Sequence, residues 1–333
     1  MGNQYILYFD SGTTNTRLYV LNQEMEIIIA NKRKIGSKES AIARSNKVLI
    51  EAMKALYDET IKEINISENQ VKEIFASGMV TSPYGLKEIP HKIVPLTIHE
   101  FVDGIEIFYE DTCFQRNINL IPGLKTINDD FTYVNNMRGE EIEVFGTLDE
   151  LKNLGKSDNI AIINPGSHTH ITYVQNEKII GILSNFTGEL YYALKTCTIL
   201  SPIFDIDDMK LDKEMVKKGV ENLKIFGFNR AIYISHSMRI FNRGTDIERF
   251  SYSEGVINGG IRESLEYYCE NYWTECETVA IIGDEFMYEL YSTILEGSNY
   301  IKDIIWLPIS KTKSYAVNGL KKMINLRGDY DGK

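Results

Sequence analysis

Asp10-Ser11-Gly12-Thr13-Thr14-Asn15 is the stretch of this chain whose residue types point most directly to chemistry. It follows the apolar run 5–9, so Asp10 ends a buried strand, where a carboxylate is costly unless something needs it. One use is to orient Mg²⁺ through its water shell. The plainer use is to cap the turn as an Asx residue. Gly12 permits the turn, Thr13, Thr14 and Asn15 supply donors to phosphate oxygens, and Arg17 adds charge nearby. A second turn, Asn164-Pro165-Gly166-Ser167-His168, keeps the glycine and a hydroxyl but has Asn in place of the acid. One acid is what a single metal site serving both turns requires. Met137-Arg138-Gly139-Glu140-Glu141 is the densest charged cluster at a predicted loop-to-helix junction. The helix dipole favours carboxylates in a first turn and disfavours Arg138 there. A guanidinium so placed suits bidentate binding of a ligand carboxylate. Glu140 or Glu141 then takes a proton from an attacking hydroxyl, unless both merely cap the helix. Gly283-Asp284 opens another helix after a buried run. Glycine there lets a flat ring such as adenine approach the backbone, and a plain strand-to-helix turn explains it nearly as well. His91, His99 and His236 read as isolated surface or core residues.

The two glycine turns belong to a repeat. Residues 4–30 and 158–184 align without a gap around Gly12 and Gly166, with Ile6/Ile160, Tyr19/Tyr173, Val20/Val174, Asn22/Asn176 and Ile28/Ile182 in register. Each copy reads as an apolar run, a turn, an alternating run, an Asn-containing turn and a third apolar run. That is three strands joined by hairpins. Two such units predict two related domains, each offering backbone N–H groups and hydroxyls to a phosphate. A triphosphate held between the turns is the simplest use of the pair.

A chain of 333 residues suits two domains of about 150 residues, divided here at 1–155 and 156–333. Hydrophobic residues make up 43% and charged residues 25%, an ordinary globular composition. The net charge of −11 argues against nucleic acid or an anionic membrane as partner. It leaves room for a small anion bound through local donors and Mg²⁺. Cys113, Cys197, Cys269 and Cys276 form no CxxC pair, and Cys269 and Cys276 read as packing thiols on one helix face. Nothing resembles a signal peptide, so a reduced, cytoplasmic protein is expected, and a homo-oligomer is compatible with it.

The elements that must carry these residues follow from periodicity. Residues 40–64 have apolar positions at helical spacing, as one long helix or two shorter ones. VKEIFASGM is a buried strand that exits at Ser77-Gly78-Met79, and the proline-bearing stretch 80–136 reads as loops that shape a site. A helix is predicted over 137–151. In the second half, helices are predicted from Thr187-Gly188-Glu189 onward, over 209–225, 230–241, 252–272, 285–295 and 312–326, with strands at 278–284 and DIIWLP. Strands followed by alternating β and α elements, twice over, predict an α/β fold.

These blocks, in this order, resemble the 2-dehydro-3-deoxygalactonokinase family of the actin-like sugar kinase and ATPase superfamily. The resemblance is carried by DSGTTNTRLYVL, ASGMVTSPYG, IPGL, NNMRGEEIEVFG, NPGSHTHITYV, FTGELYYALKTCTIL and AIIGDEFMYELY. It implies two ribonuclease-H-like (actin-like) domains related by internal duplication, with an ATP cleft between them. It also implies γ-phosphoryl transfer from ATP, with Mg²⁺, to the 6-hydroxyl of a 2-keto-3-deoxy sugar acid. On that reading Gly12, Thr13, Thr14, Asn15, Gly166, Ser167 and His168 meet phosphate, and Gly283 and Asp284 meet adenine. Gly78, Met79 and Arg138 meet the acceptor, and Asp10, Glu140 and Glu141 are catalytic. The chain departs from the family in having Thr169-His170-Ile171 where Ser-Lys-Trp is usual, Leu86 for an aromatic residue and Cys197 for His. Those changes bear on the acceptor's identity. A kinase of another sugar acid or of a pantothenate-like acceptor, and a non-catalytic sugar-acid or nucleotide sensor, are the competing readings. No helix-turn-helix arm precedes Tyr5, which disfavours a DNA-binding regulator.

Overall fold

A computed structural model describes residues 4–206, 209–310 and 312–331. The chain divides into two compact units. The first comprises residues through Lys152, Glu177–Ile182 and the C-terminal segment from Lys311, and the second comprises Asn153–Asn176 and Leu183–Ser310. The last helix, expected in the second domain, therefore belongs to the first unit.

The first unit opens with β1 (Tyr5–Ser11), β2 (Thr16–Leu21) and β3 (Ile27–Arg33), an antiparallel meander as predicted. The 40–64 periodicity resolves into α1 (Ser37–Ala43) and α2 (Lys47–Glu63), separated by Arg44 in the left-handed region. Strand β4 (Val71–Gly78) lies parallel to β1. The stretch 80–136 holds more regular structure than its prolines suggest. It contains β5 (Lys92–Ile93), α3 (Ile98–Val102), β6 (Glu106–Glu110), β7 (Arg116–Leu120), β8 (Leu124–Lys125) and β9 (Asn136–Met137). The main sheet runs β3-β2-β1-β4-β7-β6, and β5-β8-β9 form a small separate sheet. Alternate residues of the central strands, among them Leu7, Phe9, Leu18, Val20 and Ile74, pack on Leu49, Met53, Leu56 and Tyr57 of α2.

Helix α4 (Glu140–Asn153) starts three residues later than predicted, because Arg138 and Gly139 form the turn before it. The second unit repeats the plan. It has β10 (Ile160–Asn164), β11 (His168–Gln175), the end of β12 (Lys178–Phe186, of which residues 178–182 count with the first unit), α5 (Gly188–Cys197), α6 (Lys213–Phe226) and α7 (Phe228–Ile240). The helix predicted over 252–272 is two helices, α8 (Asp246–Asn258) and α9 (Gly260–Asn271), broken at Gly259-Gly260. Cys276 therefore lies beyond α9 rather than on one helix face with Cys269, though both thiols are free and buried. Strand β13 (Thr278–Gly283), α10 (Glu285–Leu295) and β14 (Asp303–Pro308) complete a sheet ordered β12-β11-β10-β13-β14. The shared order, three antiparallel strands and then a strand parallel to the first, is the arrangement expected of ribonuclease-H-like domains. Helix α11 (Tyr315–Asp331) ends the described chain. Among the described residues no helix is long and apolar enough to cross a membrane.

Helices α4 and α11 touch backbone to backbone. A Cβ added to Gly146 would fall 1.9 Å from the Tyr315 carbonyl oxygen, and one added to Gly319 would fall 2.0 Å from that of Ile142. No side chain can be accommodated there without separating the helices. Gly319→Ala is expected to destabilise the protein by about 2 kcal/mol or more. Urea unfolding of the variant checks this, and an unchanged midpoint contradicts the close approach.

Candidate active site

In the first unit, Asp10 stands opposite Ser77 and Ser11 opposite Gly78 in the parallel β1–β4 pair. Both strands thus end on the same side, the carboxyl side at which open α/β sheets bind ligands. Gly78 has φ +82°, and a Cβ on it would lie 2.4 Å from the Ser11 carbonyl oxygen. Gly139 has φ +120°, and its Cβ would lie 3.2 Å from the Gly78 Cα. These two glycines allow the 138–141 turn to rest on the strand ends. The structure therefore brings Asp10, the Gly12 turn, Gly78, Met79, Arg138, Glu140 and Glu141 into one region of the first unit.

Asp10 faces Arg17 across the hairpin, with Nη1 3.5 Å from Oδ2, so the charge of Arg17 is directed at Asp10. Burial pushes the Asp10 carboxyl up, against the pull of Arg17 and Lys32. In the turn, the Gly12 N–H donates to the Asn15 carbonyl at 2.8 Å and Asn15 Nδ2 donates to Thr14 Oγ1 at 2.9 Å. The carbonyls of Gly12 and Thr13 accept from the N–H groups of Ser37 and Lys38 at 3.3 and 3.0 Å. Among the described residues the amides of Thr13 and Thr14 have no partner, as a phosphate cradle requires. Gly12 itself is not what permits the turn. A Cβ there meets nothing nearer than 3.7 Å, and its φ is not positive. The indispensable glycine is Gly36, whose Cβ would fall 2.4 Å from both the Gly12 and Thr13 carbonyl oxygens.

The two glutamates separate clearly. Glu141 is fully buried, and both its oxygens accept from the Gly139 N–H at 2.9 and 2.8 Å, which fixes the turn. Glu140 Oε2 is buried without a hydrogen-bond partner. Burial, together with the charges of Glu143 and Asp10, pushes the Glu140 carboxyl up to about 8. Glu141 is raised well above the usual range by burial and by Glu140. Arg138 is engaged by the chain. Nη1 donates to the carbonyl and hydroxyl of Thr81, both at 2.6 Å, and Nη2 donates to the Ile89 carbonyl at 3.1 Å. The His91 ring lies 3.1 Å from Nη2, so His91 is not isolated. Burial and the neighbouring Arg138 and Lys125 lower His91 to about 4, which keeps it neutral.

The second turn is built alike within its own unit. The Ser167 carbonyl accepts from the Glu189 N–H at 2.8 Å, and a Cβ on Gly188 would fall 2.2 Å from the Gly166 carbonyl oxygen. Gly36 and Gly188 thus play one role, which the sequence reading missed. Their shared signal is a glycine just past the third strand of each repeat. His168 Nε2 lies 3.6 Å from Glu189 Oε2. Asn164 faces His170 whereas Asp10 faces Arg17, so the second hairpin is one residue tighter than the ungapped alignment implies. Thr169, His170 and Ile171 are all buried, on alternate faces of β11. Thr169 bonds Thr187 and Tyr291, His170 bonds Ser184, and Ile171 is core.

Asp284 caps α10, accepting from the Met287 N–H at 3.0 Å, and the Gly283 carbonyl accepts from Trp306 Nε1 at 3.0 Å. A cavity of this unit lies further along α10. It has a volume of 150 Å³ and is bordered by the Gly166 turn, Gly188, Tyr191, Phe286, Met287 and Leu290.

The model of the 2-keto-3-deoxy-galactonokinase family matches residues 10–320. The chain belongs to that family. A Rhizobium meliloti (strain 1021) protein described as the 2-dehydro-3-deoxygalactonokinase DgoK1 is 24% identical over 197 residues. That match spans 59% of this chain and 58% of the relative. The crystal structure of a Sinorhizobium meliloti protein assigned as a 2-dehydro-3-deoxygalactonokinase matches with a TM-score of 0.74 and 18% identity, over 96% of each chain. The activator of 2-hydroxyisocaproyl-CoA dehydratase from Clostridium difficile, solved with bound ADPNP, matches at 0.51 and 12% over 99% of this chain and 98% of that one. The fold is that of the actin-like ATPases and sugar kinases.

As a member of a kinase family the chain is expected to use Mg²⁺. Among the described residues no three His, Cys, Asp or Glu side chains are placed to hold a metal directly. Asp10 fits the looser demand of Mg²⁺ held through water and substrate phosphates. Glu140 generates a stability prediction. Its folded value lies above its unfolded one, so its stabilisation is complete below the ordinary carboxylate range and is lost as pH rises through about 8. Glu140→Gln should therefore match wild type near pH 4 and exceed it by about 2–5 kcal/mol at pH 9. Thermal melts across this range test it, and a difference that does not grow with pH refutes the buried-proton account.

Proposed function

We propose that the chain transfers the γ-phosphoryl group of ATP to the 6-hydroxyl of a 2-keto-3-deoxy sugar acid of the galactonate type. The observation that carries this reading is the unpartnered, buried Glu140 oxygen in the same region as Asp10 and the open amides of the Gly12 turn. A carboxyl raised to about 8 holds its proton at neutral pH and is a strong base once it has lost it, so the ionised fraction of Glu140 is what accepts the proton of an attacking hydroxyl. The amides of Thr13 and Thr14, and the Gly166-Ser167-His168 turn of the second unit, are assigned to phosphate oxygens. Mg²⁺, when bound, neutralises charge on the phosphoryl oxygens, and Asp10 would hold it through water. Glu141 is a positioning residue that fixes the turn carrying Glu140. Gly78 and Met79 open the acceptor loop. Arg138 holds that loop from Thr81 to Ile89, so its expected role as a direct carboxylate clamp is revised to shaping the acceptor site. The ADPNP bound to the Clostridium difficile activator supports the donor assignment.

An ATP-depletion assay over a panel of sugar acids, other aldonic acids and pantothenate tests the activity itself. Asp10→Asn should lower kcat by about 10²-fold or more while leaving the melting temperature within a few degrees. Glu140→Gln should lower kcat with little change in KM, whereas Glu141→Gln should lower stability first. Arg138→Lys keeps the charge but loses the fork, and should raise KM for the acceptor while leaving KM for ATP within about twofold. Wild-type turnover in Glu140→Gln would remove it as the proton acceptor.

A further inference from the structure

Glu254 lies on α8 in the second unit, where it lines a cavity of 150 Å³. It is 5% exposed, a burial brought about by two glycines. A Cβ on Gly255 would fall 2.1 Å from the Val216 carbonyl oxygen, and one on Gly219 would fall 2.3 Å from that of Tyr252, so α6 and α8 cross in backbone contact. Tyr191, Met209, Phe286, Met287 and Leu290 give the wall broad apolar faces, and its polar side chains Thr187, Asn258 and Tyr291 are already bonded within the protein. Such a slot suits a flat aromatic ring, whose faces want apolar neighbours and whose edge wants a matched donor and acceptor. A ribose, with polar groups all round, would find these side chains already paired and leave hydroxyls without partners.

The hydrogen bonds fix how Glu254 presents itself. Tyr291 donates its O–H to Asn258 Oδ1 at 3.0 Å, so the amide NH₂ of Asn258 must face Glu254, where it donates to Oε2 at 3.0 Å. With its proton so used, Tyr291 accepts from Thr169 at 2.7 Å, and Thr169 accepts from Thr187 at 2.8 Å. A one-way chain of hydrogen bonds thus runs from Thr187, beside the Gly166 turn, through Thr169, Tyr291 and the Asn258 amide to Glu254. Burial pushes the Glu254 carboxyl up to about 8, against the bond from Asn258, so at neutral pH it is the uncharged acid. Because Oε2 is held as the acceptor of Asn258, the proton belongs on Oε1. The group then offers one donor and one acceptor in a fixed order.

We propose that Glu254, oriented by Asn258, reads the base edge of the phosphoryl donor and selects adenine over guanine and hypoxanthine. Adenine places an amino donor beside a ring-nitrogen acceptor, the complement of a carboxylic acid held this way. Guanine and hypoxanthine present a ring N–H donor beside a carbonyl acceptor, the reverse order. A site built around a buried hydrogen-bond pair rejects the mismatched analogue strongly, because its own groups are then left unpaired. The inference rests on the nucleotide-binding reading of the second unit, and it relocates the base from Gly283-Asp284 to this cavity.

The test is calorimetric titration of the full-length protein with ADP, GDP, IDP and 2′-deoxy-ADP, which needs no acceptor and no turnover. Glu254→Gln retains a donor and an acceptor in the same order and should bind ADP within about threefold of wild type. Glu254→Leu should weaken ADP about tenfold or more and bring ADP, GDP and IDP within about threefold of one another. Melting curves confirm that both variants are folded. Unchanged affinity and discrimination in folded Glu254→Leu would overturn the proposal. So would an effect of Glu254→Leu that disappears with 2′-deoxy-ADP, because the residue would then be reading the sugar. Absence of any nucleotide binding to wild type overturns it as well. If wild type binds ADP selectively but phosphorylates no sugar acid, the kinase reading fails and this assignment stands.

Discussion

The first unit is organised around a place where three backbones touch. The Ser11 carbonyl, Gly78 and Gly139 are stacked with no room for a side chain between them. Strand pairing brings Ser11 and Gly78 level, and the two positive-φ glycines let the turn before α4 close over them. Glycine loses more conformational entropy on folding than other residues. That cost is accepted here because a single Cβ would lift the Arg138–Glu141 turn away from Asp10. The far side of α4 is fixed in the same manner, by Gly146 and Gly319 against α11. Glu140 is therefore positioned by backbone contacts at both faces of its own helix rather than by side-chain packing alone.

Rigid placement of this kind makes an unfavourable electrostatic arrangement tolerable. Asp10, Glu140 and Glu141 are all shifted upward, chiefly by burial, with Asp10 adding to the rise of Glu140 and Glu140 to that of Glu141. Only Glu141 has both oxygens engaged by the chain. An orphaned carboxyl oxygen lowers stability, and proteins retain such groups where a bound ligand completes the hydrogen bonding. The second unit repeats the device with Glu254, where a buried acid is held by one amide and faced with an apolar slot.

Much of this could be read from residue order, and the parts that could not have a physical reason. The hairpins around Gly12 and Gly166 were legible because an apolar run that stops at a polar, glycine-bearing turn has few other solutions. Their register was not, since an ungapped alignment is blind to a turn one residue tighter; hence Arg17 opposes Asp10 while His170 opposes Asn164. Gly36 and Gly188 escaped notice because what makes them indispensable is a carbonyl more than twenty residues away in sequence, at Gly12 and Gly166. Arg138 and Glu141 were recognised as a cluster, but not that the chain itself uses their polar atoms. Glu254 sits in a segment of mixed polarity, ERFSYSEGVINGG, whose burial depends on Gly219 of another helix. The helix predicted through 252–272 hid its break for a related reason, as Gly259-Gly260 ends α8 without changing the apolar period.

The return of α11 to the first unit makes the order of synthesis matter. Everything through Lys152 leaves the ribosome before the second unit, and α11 emerges after it. Until it does, Gly146 and Ile142 on α4 face no partner backbone, and the turn that carries Glu140 lacks its outer support. The second unit is in effect a long insertion between the first unit's body and its closing helix. A chain cut short before Tyr315 would thus contain every residue assigned to phosphate and acceptor and still lack the contact that seats them. The seating of Glu140 therefore waits for a helix made long after the turn that it supports.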